Sequence, residues 1–135
     1  MRFLLRLLLI TGLGYVAALY LPFWSAAVVA FVVCLLMSRR RRARLFGRPK
    51  PPAFAFWAGF FALAGLWGGL AWQINQQNAS LLSEKIAGIL LSAIPDVQLP
   101  VSAASFMILL TALIGGLMGG FSAMTGNLLG EAIKN

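Results

Sequence analysis

Three carboxylates, one thiol and no histidine are all that this 135-residue chain offers for acid–base, nucleophilic or metal chemistry. The carboxylates are Glu84, Asp96 and Glu131. No two of them stand three or four residues apart, the spacing that brings a pair onto one helix face to share a proton. The missing histidine removes the commonest general base near neutral pH and the commonest metal ligand. Cys34 lies inside an apolar run, where a small core side chain is expected rather than a reactive thiolate, and a single cysteine forms no intrachain disulfide. The glycines after residue 114 lack the preceding strand and the following lysine of a phosphate-binding loop. These residues point away from an enzyme, and they call for no cofactor and no metal.

One group of residues does carry strong chemistry. The stretch MSRRRRARLFGRPKPP, residues 37–52, gathers Arg39, Arg40, Arg41, Arg42, Arg44, Arg48 and Lys50. Such a run can hold a loop on the cytoplasmic side and attract anionic lipids, at about 1 kcal/mol per charge near the surface. An acidic protein partner is an alternative use. Nucleic acid is the least favoured, because readers of nucleic acid combine basic charge with a folded scaffold or interleaved aromatics, and only Phe46 lies within the run.

The elements that position these residues can be read from composition. The chain is 61% hydrophobic and 10% charged, against about 45–50% apolar and about 25% charged in soluble domains. A soluble domain of this size could not bury that much apolar surface, so the expected solvent is lipid. Residues 3–21 form one apolar stretch broken only by Arg6, and as a helix they reach roughly 28 Å, close to the bilayer's hydrocarbon thickness of about 30 Å. Residues 23–38 give a shorter stretch after Pro22, workable with local thinning or with arginines reaching to the headgroups. Residues 53–73, entered through Pro49, Pro51 and Pro52, and residues 101–123 supply two more. The expected fold is an all-α membrane protein in a single integral domain: four transmembrane helices, with a short external amphipathic helix between the third and fourth. A cleaved signal peptide is the competing reading of the first stretch, with Ser25, Ala26 and Ala27 as small residues for cleavage. The length of the apolar core favours a retained helix.

Charge sets the expected orientation. With the basic run inside, four crossings place both termini inside as well, and ten of the eleven positive charges are cytoplasmic. The external segments then carry Lys85 against Glu84 and Asp96. Tyr20, Trp24, Trp67 and Trp72 fall toward the outer boundary, where amphipathic rings favour the interface. The external segment 74–100 opens with INQQN, amides suited to a water boundary, and Asn78 or Ser80 is positioned to cap a short helix with Glu84 in its first turn. Projected at 100° per residue, residues 80–94 place Leu82, Ile86, Ile89, Leu90 and Ala93 on one side and Ser80, Glu84, Gly88 and Ser92 opposite, with Leu81 and Leu91 interrupting the polar face. This helix is expected to lie on the outer membrane surface or against the other helices, with a lid over a pocket as the alternative.

The sharpest packing signal is in the fourth helix. Gly115 and Gly119, Gly116 and Gly120, and Gly126 and Gly130 are each four apart. Small residues at this spacing let another helix backbone approach closely, which matters in lipid because no hydrophobic force drives helices together there. Two adjacent rows predict contact on two sides. Gly59, Gly65, Gly68 and Gly69 give the third helix a similar edge, so these two helices are expected to form the core.

The blocks LPFWSAAVVAF, FWAGFFALAGLWGGLAWQINQQN and LLTALIGGLMGGFSAMTGNLL resemble a group of small, uncharacterised four-helix inner-membrane proteins of Bacteroidota. The resemblance implies a bacterial inner membrane and brings no activity, ligand or site residue with it. Two functional expectations remain. The first is a non-catalytic accessory or scaffold subunit of a larger inner-membrane complex, packing on other subunits or on itself through helix four, with anionic lipid at the basic run. The second is a small channel or transporter formed by self-association.

Overall fold

The computed structural model describes residues 2–39, 53–93 and 102–133. Among the described residues five helices form: α1 (Arg2–Tyr20), α2 (Ser25–Arg39), α3 (Ala53–Gln77), α4 (Leu81–Ser92) and α5 (Ala103–Ala132). Three of them, α1, α3 and α5, are long and apolar enough to cross a membrane, and α2 is a shorter apolar helix. Among the described residues all regular structure is helical, and three helices of this length and composition support a membrane protein.

Four helices pack in a ring in the order α1, α2, α5, α3, each meeting its two neighbours, and α4 rests on α5 and the end of α3. The contacts set the directions. Gly120 of α5 meets Phe56 of α3, while Gly115 meets Trp67, so α3 and α5 are antiparallel. Gly126 meets Phe31 of α2, while Gly130 meets Leu35 and Ser38, so α2 and α5 run parallel. Phe3 stacks edge-on against Phe54 at 5.5 Å, and Gly14 faces Leu66, so α1 runs with α3. The centre is built from small side chains: Ala26, Ala30, Cys34, Ala55, Ala62 and Ala123 are buried with Ile10, Val33, Leu63 and Leu66. Small residues at the contacts are what allow close approach where packing, not the hydrophobic effect, must hold helices together.

Element boundaries depart from the sequence expectation in three places. Helix α2 begins at Ser25 rather than at residue 23, because Pro22 opens a turn in which the Ser25 N–H donates to the Pro22 carbonyl at 2.9 Å. Helix α3 carries its amides as far as Gln77, and it stops where Ala79 and Ser80 take left-handed φ values of 48° and 63°. There the Ser80 N–H reaches back to the Asn75 carbonyl at 3.0 Å, a 6→1 closure of the last turn. Helix α5 continues nine residues past 123, because α2 packs against Gly126 and Gly130 and the exposed Thr125 turns its hydroxyl back to the Phe121 carbonyl of the same helix.

The short helix between α3 and α5 is tied to both of its neighbours. Ser80 sits at the N-cap of α4 but makes no capping bond. Its hydroxyl instead accepts from Asn75 Nδ2 at 3.0 Å, and Ser83 Oγ donates to Asn75 Oδ1 at 2.6 Å, so one amide side chain ties the end of α3 to the start of α4. The side of α4 turned to the bundle is Ser83, Ala87 and Leu91, and of these Ala87 is fully buried. Leu82, Ile86, Ile89 and Leu90, the apolar side in projection, stay exposed. The small Ala87 at the centre of that side lets α4 sit close to α5, while Ile89 and Leu90 point outward.

Candidate functional site

All six glycines singled out in helix four are buried, and each faces another helix of the same chain. A Cβ built on Gly115 would stand 2.8 Å from Trp67 Cγ, one on Gly116 2.9 Å from Phe60 Cε2, and one on Gly120 2.7 Å from Phe56 Cε2. Gly119 meets Gly59, backbone against backbone, and a Cβ there would lie 2.7 Å from that of Leu63. Both glycine rows at 115–120 therefore face α3, rather than one row facing each side. The second side is supplied lower on α5, where Gly126 meets the Phe31 backbone and a Cβ on Gly130 would lie 2.9 Å from the Leu35 carbonyl oxygen. The small edge of α3 is divided as well: Gly59 and Gly68 face α5, while Gly65 and Gly69 have nothing within 4 Å.

The close approach of α2 to α5 creates a polar cluster that sequence reasoning missed. Asn127 is 1% exposed and Arg6 is 5% exposed. Arg6 Nη2 donates to Asn127 Oδ1 at 3.1 Å, across the diagonal of the bundle from α1 to α5. Asn127 Nδ2 donates to Glu131 Oε1 at 2.9 Å, one turn further along the same helix. Ser38 Oγ, fully buried near the end of α2, donates to the Asn127 backbone carbonyl at 3.2 Å. The asparagine is thus both acceptor and donor, a neutral bridge between a buried cation and a carboxylate. Its role is to satisfy polar groups where three helix ends meet, which a low-dielectric interior requires. The signal was present in the spacing: residues 116, 120, 123 and 127 lie along one helical face, so a helix that continues beyond 123 carries Asn127 inward with the glycines.

The other chemically capable residues are dispersed. Glu84 is exposed on α4 at the far end of the bundle from Glu131. Thr111 Oγ1 donates to the Met107 carbonyl of its own helix at 2.8 Å, and Cys34 is buried between helices. Arg39 is the last residue of α2; Arg40, Arg41, Arg42, Arg44, Arg48, Lys50, Asp96 and Lys134 lie outside the described residues. No protein-family model, curated protein or solved structure matches this chain.

Proposed function

We infer that the chain is a non-catalytic accessory or scaffold subunit of a larger complex in a bacterial inner membrane, joined to its neighbours through the outer face of α3. The observation that carries this reading is where the glycines go. Those of α5 are taken up inside the chain, so they leave no groove for a partner. Gly65 and Gly69, four apart on α3, remain open. On the same side stand Trp57, Phe61 and Trp72, all about half exposed. The result is a notch in an aromatic ridge, a shape that admits the backbone of a neighbouring membrane helix. Self-association through the same notch, giving a small channel or transporter, is the second reading.

Gly65→Leu and Gly69→Leu fill the notch without touching the chain's own core. In native mass spectrometry from mild detergent, each is expected to lower the complexed fraction several-fold per inserted chain. An unchanged fraction removes the reading, and a closed homo-oligomer lost in both variants decides for the channel.

The same reading places four crossings in the membrane, with both termini and residues 39–50 cytoplasmic and residues 75–100 external. The alternation of helix directions supports it, with α1 and α3 running one way and α2 and α5 the other, as does the concentration of positive charge on one side. Helix α2 has 15 residues and reaches roughly 22 Å, so the bilayer thins beside it. The basic run then lies against anionic headgroups. Gln77→Cys, in a Cys34→Ala background, is expected to react with an impermeant maleimide in intact cells once any outer membrane is opened; labelling at Ala43→Cys, within the basic run, in its place would invert the topology.

A further inference from the structure

Opposite the Arg6–Asn127 cluster, at the end of α3, a cleft of about 200 Å³ lies between α3, α4 and α5. Its apolar walls are Ala71, Ile74, Leu82, Ile86, Met107 and Ile108. Three polar side chains also line it, Asn75, Ser83 and Thr111, and each already spends its hydrogen bonds within the protein: Ser83 on Asn75, Asn75 on Ser80, Thr111 on the Met107 carbonyl. Such a lining offers a guest contact area and little hydrogen bonding, so the part of a guest that enters is apolar. Asn78, exposed at the rim, is where a polar head would rest.

Size narrows the guest further. The cleft exceeds the roughly 150 Å³ of an apolar cavity that admits benzene, and it falls below the roughly 300 Å³ where drug-sized pockets begin. One alkyl segment fits, whereas a pair of chains or a helix does not. The approach is apolar too, because Leu82 and Ile86 are themselves partly exposed and share their side of α4 with Ile89 and Leu90. We propose that this cleft seats one acyl chain of a membrane phospholipid, with α4 as its roof. The site is independent of the notch on α3: Gly65 and Gly69 do not line it.

The test uses the full chain in digitonin, a detergent without an alkyl chain. A phosphatidylethanolamine carrying a diazirine in one acyl chain is titrated in and photolysed, and labelling is read on the peptide holding Met107 and Ile108 against that on lipid-facing Leu8 and Leu9. The expected result is saturable labelling at Met107 and Ile108, displaced by unlabelled phosphatidylethanolamine, with linear labelling at Leu8 and Leu9. Ala71→Phe, which fills the cleft, should raise the half-saturating concentration at least about tenfold. Ile86→Ala, which opens the roof without filling anything, should raise it by a smaller factor, and this guards against misfolding of the first variant. Linear labelling at both places would reduce the cleft to ordinary lipid contact and overturn the proposal. So would saturation unaffected by either variant, or displacement by dodecanoate but not by the phospholipid, which would mark a site for single-chain amphiphiles instead.

Discussion

The two ends of α5 use the same residue for different ends. Along 115–120, glycines let α3 come close, and the material that fills the gap is dry: the rings of Phe56, Phe60 and Trp67, the side chains of Leu63 and Ala64, and the backbone of Gly59. Along 126–130, glycines let α2 come close, and the groups brought together there are polar. Ser38 reaches the Asn127 carbonyl, and Arg6 reaches the Asn127 amide from the opposite helix. Small residues in a membrane helix therefore do not by themselves mark a binding face for something else. In this chain they determine which internal contacts are possible, and the neighbouring residue types decide whether the contact is packed or hydrogen-bonded.

That contrast is broken most severely where backbone meets backbone. At Gly119 and Gly126 the opposing atoms belong to the Gly59 and Phe31 main chains, which have no rotamer to change. Gly119→Leu and Gly126→Leu are expected to cost about 3 kcal/mol or more, the upper end of overpacking. At Gly116 and Gly120 the nearest obstruction is the edge of a phenylalanine ring that can turn, with the Ala64 Cβ behind it at 3.1 Å for Gly116, and Gly116→Leu should cost less, about 1–2 kcal/mol. Unfolding in mixed micelles, monitored by tryptophan fluorescence, gives the order. If Gly116→Leu proves as damaging as Gly119→Leu, the rings are as fixed as the backbone and the distinction fails.

Next in size is the polar end. Asn127→Leu keeps the volume and the helix but removes one acceptor from Arg6 and one donor from Glu131. The loss expected for withdrawing a partner from buried polar groups is about 1–3 kcal/mol. Arg6→Met should cost less in the Asn127→Leu background than alone, because the two act through one bond; strict additivity would show that the 3.1 Å contact contributes nothing.

Much of this was legible in the residues. Hydropathy was enough to identify α1, α3 and α5 as long apolar helices, since lipid imposes continuous apolar runs and internal hydrogen bonding. The glycine spacing pointed to close packing along α5. What it could not give was the partner: the period of a helix fixes which residues share a face, not which neighbour that face meets, and here both rows at 115–120 turned to α3. Asn127 was hidden because the apolar span was drawn only to 123, and although Gly126 and Gly130 were counted with the same helix, the asparagine between them was not projected inward. In lipid an asparagine looks like a boundary until a buried arginine from the other end of the chain is placed beside it. The apolar side of α4 was legible, but not which of its sides meets the bundle. Amphipathicity predicts which side is greasy, but α4 turns the small Ala87 to the bundle and leaves Ile89 74% exposed.

The finest test of the comparison lies within α2, whose two buried serines stand at opposite ends of one helix. Ser25 is 4% exposed, and its hydroxyl has no hydrogen-bond partner among the described residues. Ser38 is fully buried, and its hydroxyl donates to Asn127. Alanine removes the same oxygen from each, so size and helix propensity nearly cancel between the two variants. The difference is whether that oxygen was bonded. Ser38→Ala leaves the Asn127 carbonyl without this donor, and a loss of about 0.5–1.5 kcal/mol is expected. Ser25→Ala removes a desolvated group that receives nothing in return, so stability should hold or rise by up to about 1 kcal/mol. Opposite signs from one substitution at two ends of one helix would tie the polar chemistry of the bundle to the Asn127 end. Equal losses would mean that Ser25 is hydrogen-bonded in the membrane after all, and that the two ends of the bundle are more alike than their glycines indicate.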